Sequence, residues 1–241
     1  MWQSVTRFPC PSSTLALLRS PSAADRRRRT TRLAPLTAPA APPDETCGVV
    51  QWPGTPTSLF NCSNLSALVS ELNGVSDDPQ FVGSWSNTTT GGGFVSPGDS
   101  GQSCYSFNPT GSIATWVGGV NGDGQVVGSF MDSNQQVHGF IYNYGNGINP
   151  PAPQQFEYPG ATTTSLYGID NNGLMLGYAD LASGGGTYFL LDENNGTATP
   201  VGDPNYTLNG LNDTSYIAGF TGDNYGEGCA DGLLLELALV P

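Results

Sequence analysis

Oxygen-bearing side chains recur in short, glycine-containing segments and could bind a calcium ion. Calcium is a hard cation that takes several closely spaced carboxylate and carbonyl oxygens as ligands. Asp and Asn beside Gly are also the residues that a tight hairpin turn selects, and the EF-hand spacing is absent. The turn explains these segments without a ligand, and calcium is the one cofactor we consider. The candidate ligands are Asn121, Asp123, Asp170, Asn172 and Asp213.

The same segments could supply carboxylates for the cleavage of a neutral polysaccharide. A glycosidase needs two carboxyl groups on either side of the glycosidic bond, and the candidates are Asp77, Asp123, Asp170 and Asp213. His138 is the only imidazole, so a Ser-His-Asp or Cys-His site would have to use it. Its place at the start of a repeated segment marks it as a motif residue. Because the repeat already explains these positions, we expect a protein that is not an enzyme.

Aromatic side chains offer a third kind of chemistry, stacking on sugar rings. Such stacking needs exposed aromatic faces and no cations. Recurrence near equivalent positions is also what packing between repeats requires, and we prefer that interpretation. The residues concerned are Trp85, Trp116, Tyr167, Tyr178 and Phe220.

All these residues belong to a repeat. Four segments, 74–83, 119–128, 168–177 and 210–219, each begin and end with Gly, and they start 45, 49 and 42 residues apart. Each reads as strand, turn, strand, and two further short strands follow. Four strands in about 45 residues is the unit of a β-propeller blade. The sequence therefore predicts an all-β, four-bladed β-propeller.

The two ends of the repeat region are complementary halves of one blade. The segment 48–52 matches a fourth strand, and the last copy stops after its third strand, 232–239. We expect the last blade to be completed by this N-terminal strand, which removes an exposed edge. The strand could instead come from a neighbouring molecule, and repetition would build a filament. Residues 64–74 fit either a short helix or the first strand of blade one.

The segment His138-Gly139-Phe140 matches a signature of a known family. The repeat resembles the bacterial extracellular HAF family, which is named for its His-Ala/Gly-Phe motif, over roughly residues 74 to 237. The resemblance implies a secreted or surface β-repeat protein. The family has no established activity, so no functional residue is carried over.

Charge divides the chain into two parts. All seven arginines lie before Leu33, where the sequence is rich in Pro, Ala, Ser and Thr, and nineteen of the 20 acidic residues follow. We expect residues 1–46 to be a processed leader or a disordered arm, or to reflect an incorrect gene start, and 47–241 to be the propeller domain. Residues 33–241 contain nineteen acidic residues and no Lys or Arg, a net charge of −19, which disfavours nucleic acid and anionic membrane surfaces as partners. No apolar stretch is long enough for a membrane span.

For the extracellular or cell-surface location that the resemblance implies, we expect disulfides and consider N-glycosylation. If Cys10 leaves with the leader, Cys47, Cys62, Cys104 and Cys229 remain for two disulfides, with the connectivity open. A Cys62–Cys229 bridge would lock the seam of the ring. Asn-X-Ser/Thr triplets, which mark either N-glycosylation or the polar composition alone, occur at Asn61, Asn64, Asn87, Asn195, Asn205 and Asn212.

These observations together predict an extracellular, non-enzymatic structural or interaction protein of a cell surface or matrix. Exchange of terminal strands between copies would let it polymerise into filaments. The alternatives are a carbohydrate-binding propeller and, behind it, a glycosidase or lyase acting on neutral polysaccharide.

Overall fold

The computed structural model of the chain describes residues 6–8, 48–50, 58–60, 62–67, 69–77, 80–97, 103–145, 151–202, 206–214, 216–221 and 231–236. Within these residues the chain forms strands and one short 3-10 turn. The elements in chain order are β1 (Thr6–Phe8), β2 (Gly48–Val50), β3 (Ser58–Phe60), the 3-10 turn Ser63–Leu65, β4 (Val69–Val75), β5 (Phe81–Ser86), β6 (Gly91–Ser96), β7 (Tyr105–Phe107), β8 (Ser112–Val120), β9 (Gln125–Asp132), β10 (Val137–Asn143), β11 (Gln154–Phe156), β12 (Ala161–Ile169), β13 (Leu174–Leu181), β14 (Gly186–Asp192), β15 (Thr197–Val201), β16 (Tyr206–Leu211), β17 (Tyr216–Thr221) and β18 (Asp231–Glu236).

The strands form four antiparallel sheets of four strands, arranged as a four-bladed β-propeller. Blade 1 contains β4 to β7, blade 2 contains β8 to β11 and blade 3 contains β12 to β15, each in sequence order. Blade 4 contains β16, β17, β18 and then β1. The first strands lie next to one another, since β4 contacts β8, β8 contacts β12 and β12 contacts β16. The predicted fold class is confirmed.

The last blade is completed by an N-terminal strand, as predicted, but by a different one. β18 pairs with β1, with Thr6 opposite Leu234 and Phe8 opposite Gly232. Of the predicted strand 48–52, the described part β2 pairs instead with β3, with Val49 opposite Leu59. A local hairpin closes a short loop and costs less entropy than pairing with a distant strand. The strand that closes blade 4 thus comes from the segment 1–46.

The ambiguity over residues 64–74 is also resolved. The chain makes one 3-10 turn at Ser63–Leu65 and then enters the strand β4. The N–H of Leu65 donates to the carbonyl of Cys62 at 2.9 Å. The repeat alignment therefore placed the first strand of blade 1 correctly.

The core lies between the faces of neighbouring blades. One phenylalanine from each of the third strands β6, β10 and β14 is fully buried: Phe94, Phe140 and Phe189. Between blades 1 and 2, Val82 packs in one apolar cluster with Val117. Each blade thus buries its apolar face on the next, which is why a single repeat cannot be stable alone.

Glycine closes each repeat because the space for a side chain is already filled. A Cβ atom at Gly128 would lie 2.7 Å from the Phe140 ring and closer still to the carbonyl oxygen of Trp116. The crowding accompanies a β-bulge in β8, where the register shifts between Val117 and Gly119. The other three first strands have the same bulge at the same place.

The opening glycines let the first strands approach one another. A Cβ atom at Gly119 would lie 3.2 Å from the Cα atom of Gly168 in the next blade, and one at Gly74 would lie 3.1 Å from the Cα atom of Gly119. Backbones this close leave no room for side chains. Gly74 and Gly119 therefore allow the narrow spacing between blades 1 and 2 and between blades 2 and 3 at the axis.

Candidate functional site at the turn end of the propeller

The turn after each first strand is built by one polar side chain. In blade 2, Asn121 Oδ1 accepts hydrogen bonds from the N–H of Asp123 at 3.1 Å and of Gln125 at 2.9 Å. Asp170 in blade 3 makes the same pair of bonds with Asn172 and Leu174. Asn212 in blade 4 makes the same pair with Thr214 and Tyr216, and Ser76 Oγ in blade 1 accepts from Gln80. Side chains of this kind stabilise a turn by replacing backbone acceptors.

Two of the predicted calcium ligands are therefore occupied within their own turns. Asn121 is 3% exposed and Asp170 is 5% exposed, and Oδ1 of each accepts backbone N–H groups. Asp123, Asn172 and Asp213 are exposed at the same end of the propeller. Among the described residues, no group of three or more His, Cys, Asp or Glu side chains is placed to hold a metal ion. Calcium binding stays a prediction.

The residues one position further along, at the tips of the four turns, meet at the axis. They are Asp77, Gly122, Asn171 and Asp213. Asn171 donates from its backbone N to Asp213 Oδ1 and from Nδ2 to Asp213 Oδ2, both at 2.8 Å. The same Nδ2 donates to Asp77 Oδ2 at 3.2 Å, and the N–H of Gly122 donates to Asn171 Oδ1 at 2.6 Å. One asparagine thus connects all four blades.

Further polar contacts join neighbouring blades at this end. Gln125 Nε2 donates to both carboxylate oxygens of Glu193, at 2.9 and 2.7 Å, which links blade 2 to blade 3. Asn121 Nδ2 donates to the carbonyl of Asp170 at 3.2 Å. Asn172 Nδ2 reaches the carbonyl of Asp213 at 3.5 Å, between blades 3 and 4. The turn end is a continuous hydrogen-bonded layer whose exposed groups are amides and carboxylates.

Two of the carboxylates considered for polysaccharide cleavage do converge. Asp77 and Asp213 both accept from Asn171 Nδ2, whereas Asp170 is buried and serves its own turn. Asn171 itself was missed, because only the alignment of all four turn tips shows that they meet at one point. The arrangement fixes the blades relative to one another. Cleavage of a polysaccharide stays a prediction.

His138 lies away from the axis, near the outer edge of blade 2. Its Nδ1 is within hydrogen-bonding distance of Glu157 Oε1, and its Nε2 lies 3.5 Å from Asp132 Oδ2. A hydrogen bond from the backbone of Gln136, together with bonds from Asn134 and His138, holds the pKa of Asp132 below its ordinary value against a smaller effect of desolvation. No serine or cysteine nucleophile is among the described hydrogen-bond partners of the ring.

The aromatic residues divide into buried and exposed sets. Trp85 is buried, and its Nε1–H donates to Ser106 Oγ at 2.9 Å, so it belongs to the core as expected. Trp116 is 44% exposed and Tyr167 is 37% exposed, on the first strands of neighbouring blades. Tyr178 packs 4.9 Å from Tyr188 between ring centroids, and Phe220 is partly buried. Burial, with the nearby Tyr188, raises the pKa of Tyr167 to about 12.

The disulfide joins Cys62 to Cys104 and lies in the core of blade 1. The predicted Cys62–Cys229 bridge is therefore wrong. Cys62 precedes the first strand of this blade and Cys104 precedes its fourth, which brings their Cα atoms to 5.5 Å, within the range a disulfide spans. Cys47 and Cys229 lie outside the described residues.

The asparagines of the predicted N-glycosylation triplets differ in the hydrogen bonds that their side-chain amides make. Asn64 Nδ2 donates to the carbonyl of Cys104 at 2.8 Å, and Asn64 Oδ1 accepts from the N–H of Cys104 at 3.0 Å. Asn87 and Asn212 each accept the hydroxyl of the threonine two positions later, at 3.1 Å, and Asn195 binds Asp192 within a hairpin turn. Asn61 and Asn205 lie outside the described residues. N-glycosylation stays a prediction for all six.

Among the residues that the structure describes, no helix is long and apolar enough to cross a lipid bilayer. No protein-family model matches the chain, and no curated protein is significantly similar to it. The resemblance to the HAF family accordingly rests on the repeat motif alone.

Proposed function

We propose that the chain is an extracellular, non-enzymatic structural or interaction module that assembles by exchange of its N-terminal strand. The observation that supports this most directly is the pairing of β1 with β18. In blades 1 to 3 the fourth strand follows the third strand along the chain, but in blade 4 it comes from the other end of the sequence. A second copy could supply the same strand in the same register.

Outside the outer strand of blade 4, the contacts between blades favour a rigid module that assembles with other copies over one that changes conformation. Asn171 ties the four turn tips together, and the opening glycines pack backbone against backbone. In blade 4 the outer strand β1 contributes only three residues and does not follow β18 along the chain, so it is the strand that could be exchanged. A rigid ring with one exchangeable strand is the arrangement that strand-exchange polymers require.

The disulfide and the composition support an extracellular location. The Cys62–Cys104 disulfide is typical of chains that fold in an oxidising environment. The absence of Lys and Arg after Leu33 leaves a strongly acidic surface, which favours solubility and disfavours nucleic acid. The HAF-like motif at His138 points to the same extracellular setting.

Cysteine crosslinking tests the exchange. Thr6 lies opposite Leu234 in the ladder, so chains carrying Thr6→Cys are mixed with chains carrying Leu234→Cys and oxidised. We expect a covalent dimer whose disulfide joins residues 6 and 234, identified by mass spectrometry. A chain that carries both substitutions controls for closure within one molecule, and Ser112→Cys in blade 2 replaces Leu234→Cys as the unpaired control.

The opposite result is equally clear. If single-cysteine chains give no mixed disulfide between residues 6 and 234 at any protein concentration, while the doubly substituted chain closes within itself, the ring is discrete and the exchange proposal fails.

Carbohydrate binding is a second candidate, favoured by the exposure of Trp116 and Tyr167 on neighbouring first strands. Aromatic faces without nearby cations suit neutral sugars. A glycan array, screened with and without calcium, tests it. Binding that is lost in Trp116→Ala and kept in Ile113→Ala, an exposed apolar residue of the same strand, would support the candidate. An array with no signal removes it.

A further inference from the structure

His138 lies between two carboxylates that come from different parts of blade 2. Glu157 directly follows the outermost strand β11, and Asp132 is the last residue of β9. Nδ1 of the ring is within hydrogen-bonding distance of Glu157, and Nε2 lies 3.5 Å from Asp132. The ring of Phe130 packs beside it, at 5.1 Å between centroids. Nε2 therefore faces a carboxylate acceptor, and Nδ1 lies near both the Glu157 carboxylate and the side-chain amide of Gln155, whose Nε2 is 3.1 Å away.

The number of protons on the ring decides how many of these contacts are hydrogen bonds. A neutral imidazole has one N–H, an imidazolium has two, and an ionised carboxylate only accepts. The lowered pKa of Asp132 keeps that carboxylate ionised. Asp132 and Glu157 are the charged groups that form ion pairs with His138 in the described part of the chain. Only the protonated ring can donate to both.

The contact acts on the short outer strand of the blade. β11 has three residues, paired with β10 through Phe156 opposite Gly139 and the next two positions. Gln155 Nε2 also donates to Glu157 Oε1 at 2.8 Å, and Thr164 Oγ1 reaches Glu157 Oε2 at 3.4 Å. Glu157 is therefore the point at which the outer strand is attached to His138.

We propose that His138 is a pH-dependent clamp on the outer strand of blade 2. The protonated ring binds Glu157 and Asp132 at once and fastens β11 and the end of β9 to β10. The neutral ring keeps one of these hydrogen bonds and loses the ionic attraction. The clamp is therefore strongest where the ring is protonated and both carboxylates are ionised, and it weakens as rising pH removes the second ring proton. The inference does not depend on the proposed strand exchange.

Amide hydrogen exchange of the full chain tests the clamp. The rates of the β10–β11 ladder amides are compared between the wild type and Glu157→Gln at about pH 5.5 and about pH 8.5, on either side of the imidazole range. At the lower pH we expect exchange about threefold to fivefold faster in the variant, as for a weak ion pair, and equal rates at the higher pH. His138 is the only histidine, so its ring NMR signal reports its protonation at each pH.

Two variants make the result decisive. Glu71→Gln removes the same charge from an exposed position of β4 in blade 1 and should leave the β10–β11 rates unchanged at both pH values. His138→Gln keeps a polar side chain that cannot be protonated, and in this background Glu157→Gln should change the rates by the same factor at both pH values. With His138 present, a Glu157→Gln effect of equal size at both pH values, or no effect at either, overturns the proposal.

Discussion

Asn171 and Asp213 are joined by two hydrogen bonds of 2.8 Å, one from the backbone N and one from Nδ2 of the asparagine. Because the same amide reaches Asp77 and accepts from Gly122, one side chain holds blades 1, 2 and 4 against blade 3. This makes Asn171 the residue whose replacement should act on the whole ring.

Asn171→Ala should lower the free energy of unfolding by about 1–2 kcal/mol, because it removes hydrogen bonds to a carboxylate pair. Asn134→Ala is the matched control. Asn134 is exposed and bonds only Asp132 within its own hairpin, so its replacement should cost under ~0.5 kcal/mol. Urea denaturation measures both. Equal effects would mean that the contact between the blades contributes nothing.

Asn171→Asp should be more destabilising than Asn171→Ala at neutral pH. The new carboxylate would face those of Asp77 and Asp213, and like charges at this distance repel. Salt screens exposed charges, so the difference between the two variants should shrink in 1 M NaCl, a condition chosen to bring the Debye length to about 3 Å. A difference that salt does not change would contradict the electrostatic explanation.

Gly128→Ala should destabilise the protein by about 3 kcal/mol or prevent folding, because overpacked backbone sites cannot relax. Its Cβ would meet the Trp116 carbonyl and the Phe140 ring. Gly210→Ala is the control, since a Cβ there meets nothing within 4 Å. Thermal unfolding of the two variants compares them directly. Similar melting temperatures would show that the Gly128 site can expand.

Removal of the disulfide should also have a measurable cost. The bond closes a chain segment with a sequence separation of 42, for which loop-closure entropy gives about 3–4 kcal/mol. Cys62→Ser with Cys104→Ser should unfold at lower denaturant concentration than the wild type and should respond much less to a reductant. If reductant destabilises the double variant as much as the wild type, another disulfide makes the larger contribution.

Tyr167 should ionise late in alkaline titration, since its pKa is raised to about 12. In the unfolded chain an ordinary tyrosine loses its proton near pH 10, so between these values the unfolded state binds fewer protons and stability falls as pH rises. Tyr167→Phe should reduce this fall and remove the last step in the absorbance titration. A titration in which all tyrosines ionise together near pH 10 would contradict the raised pKa of Tyr167.

The repeat and its division into blades could be predicted, because the residues that specify them contact groups within the same blade or the same turn. Gly128 is needed where Phe140 of the same blade packs, and Asn121 builds a turn from groups within four residues of itself. Such requirements recur in every copy, so their period is visible in the sequence.

What the sequence did not reveal depends on which distant parts of the chain meet. The disulfide partner of Cys62 depends on the fold of blade 1. The strand that completes blade 4 depends on whether an N-terminal segment pairs in a local hairpin, as β2 does with β3, or with the distant edge strand β18, as β1 does. The role of Asn171 is of the same kind. Its partners Asp77 and Asp213 lie 94 and 42 positions away in the sequence. Nothing in the sequence around Asn171 identifies these partners.

The meeting of four turn tips on one axis limits how alike the four repeats can be. A residue on a rotation axis meets its own equivalents, so four identical copies would place four identical side chains against one another. Four aspartates would repel, and four asparagines or glycines would lack the carboxylate acceptors that the present contacts use. The chain instead places Asp77, Gly122, Asn171 and Asp213 there. The hydrogen bonds that join the blades at the axis therefore depend on turn tips that differ from one another.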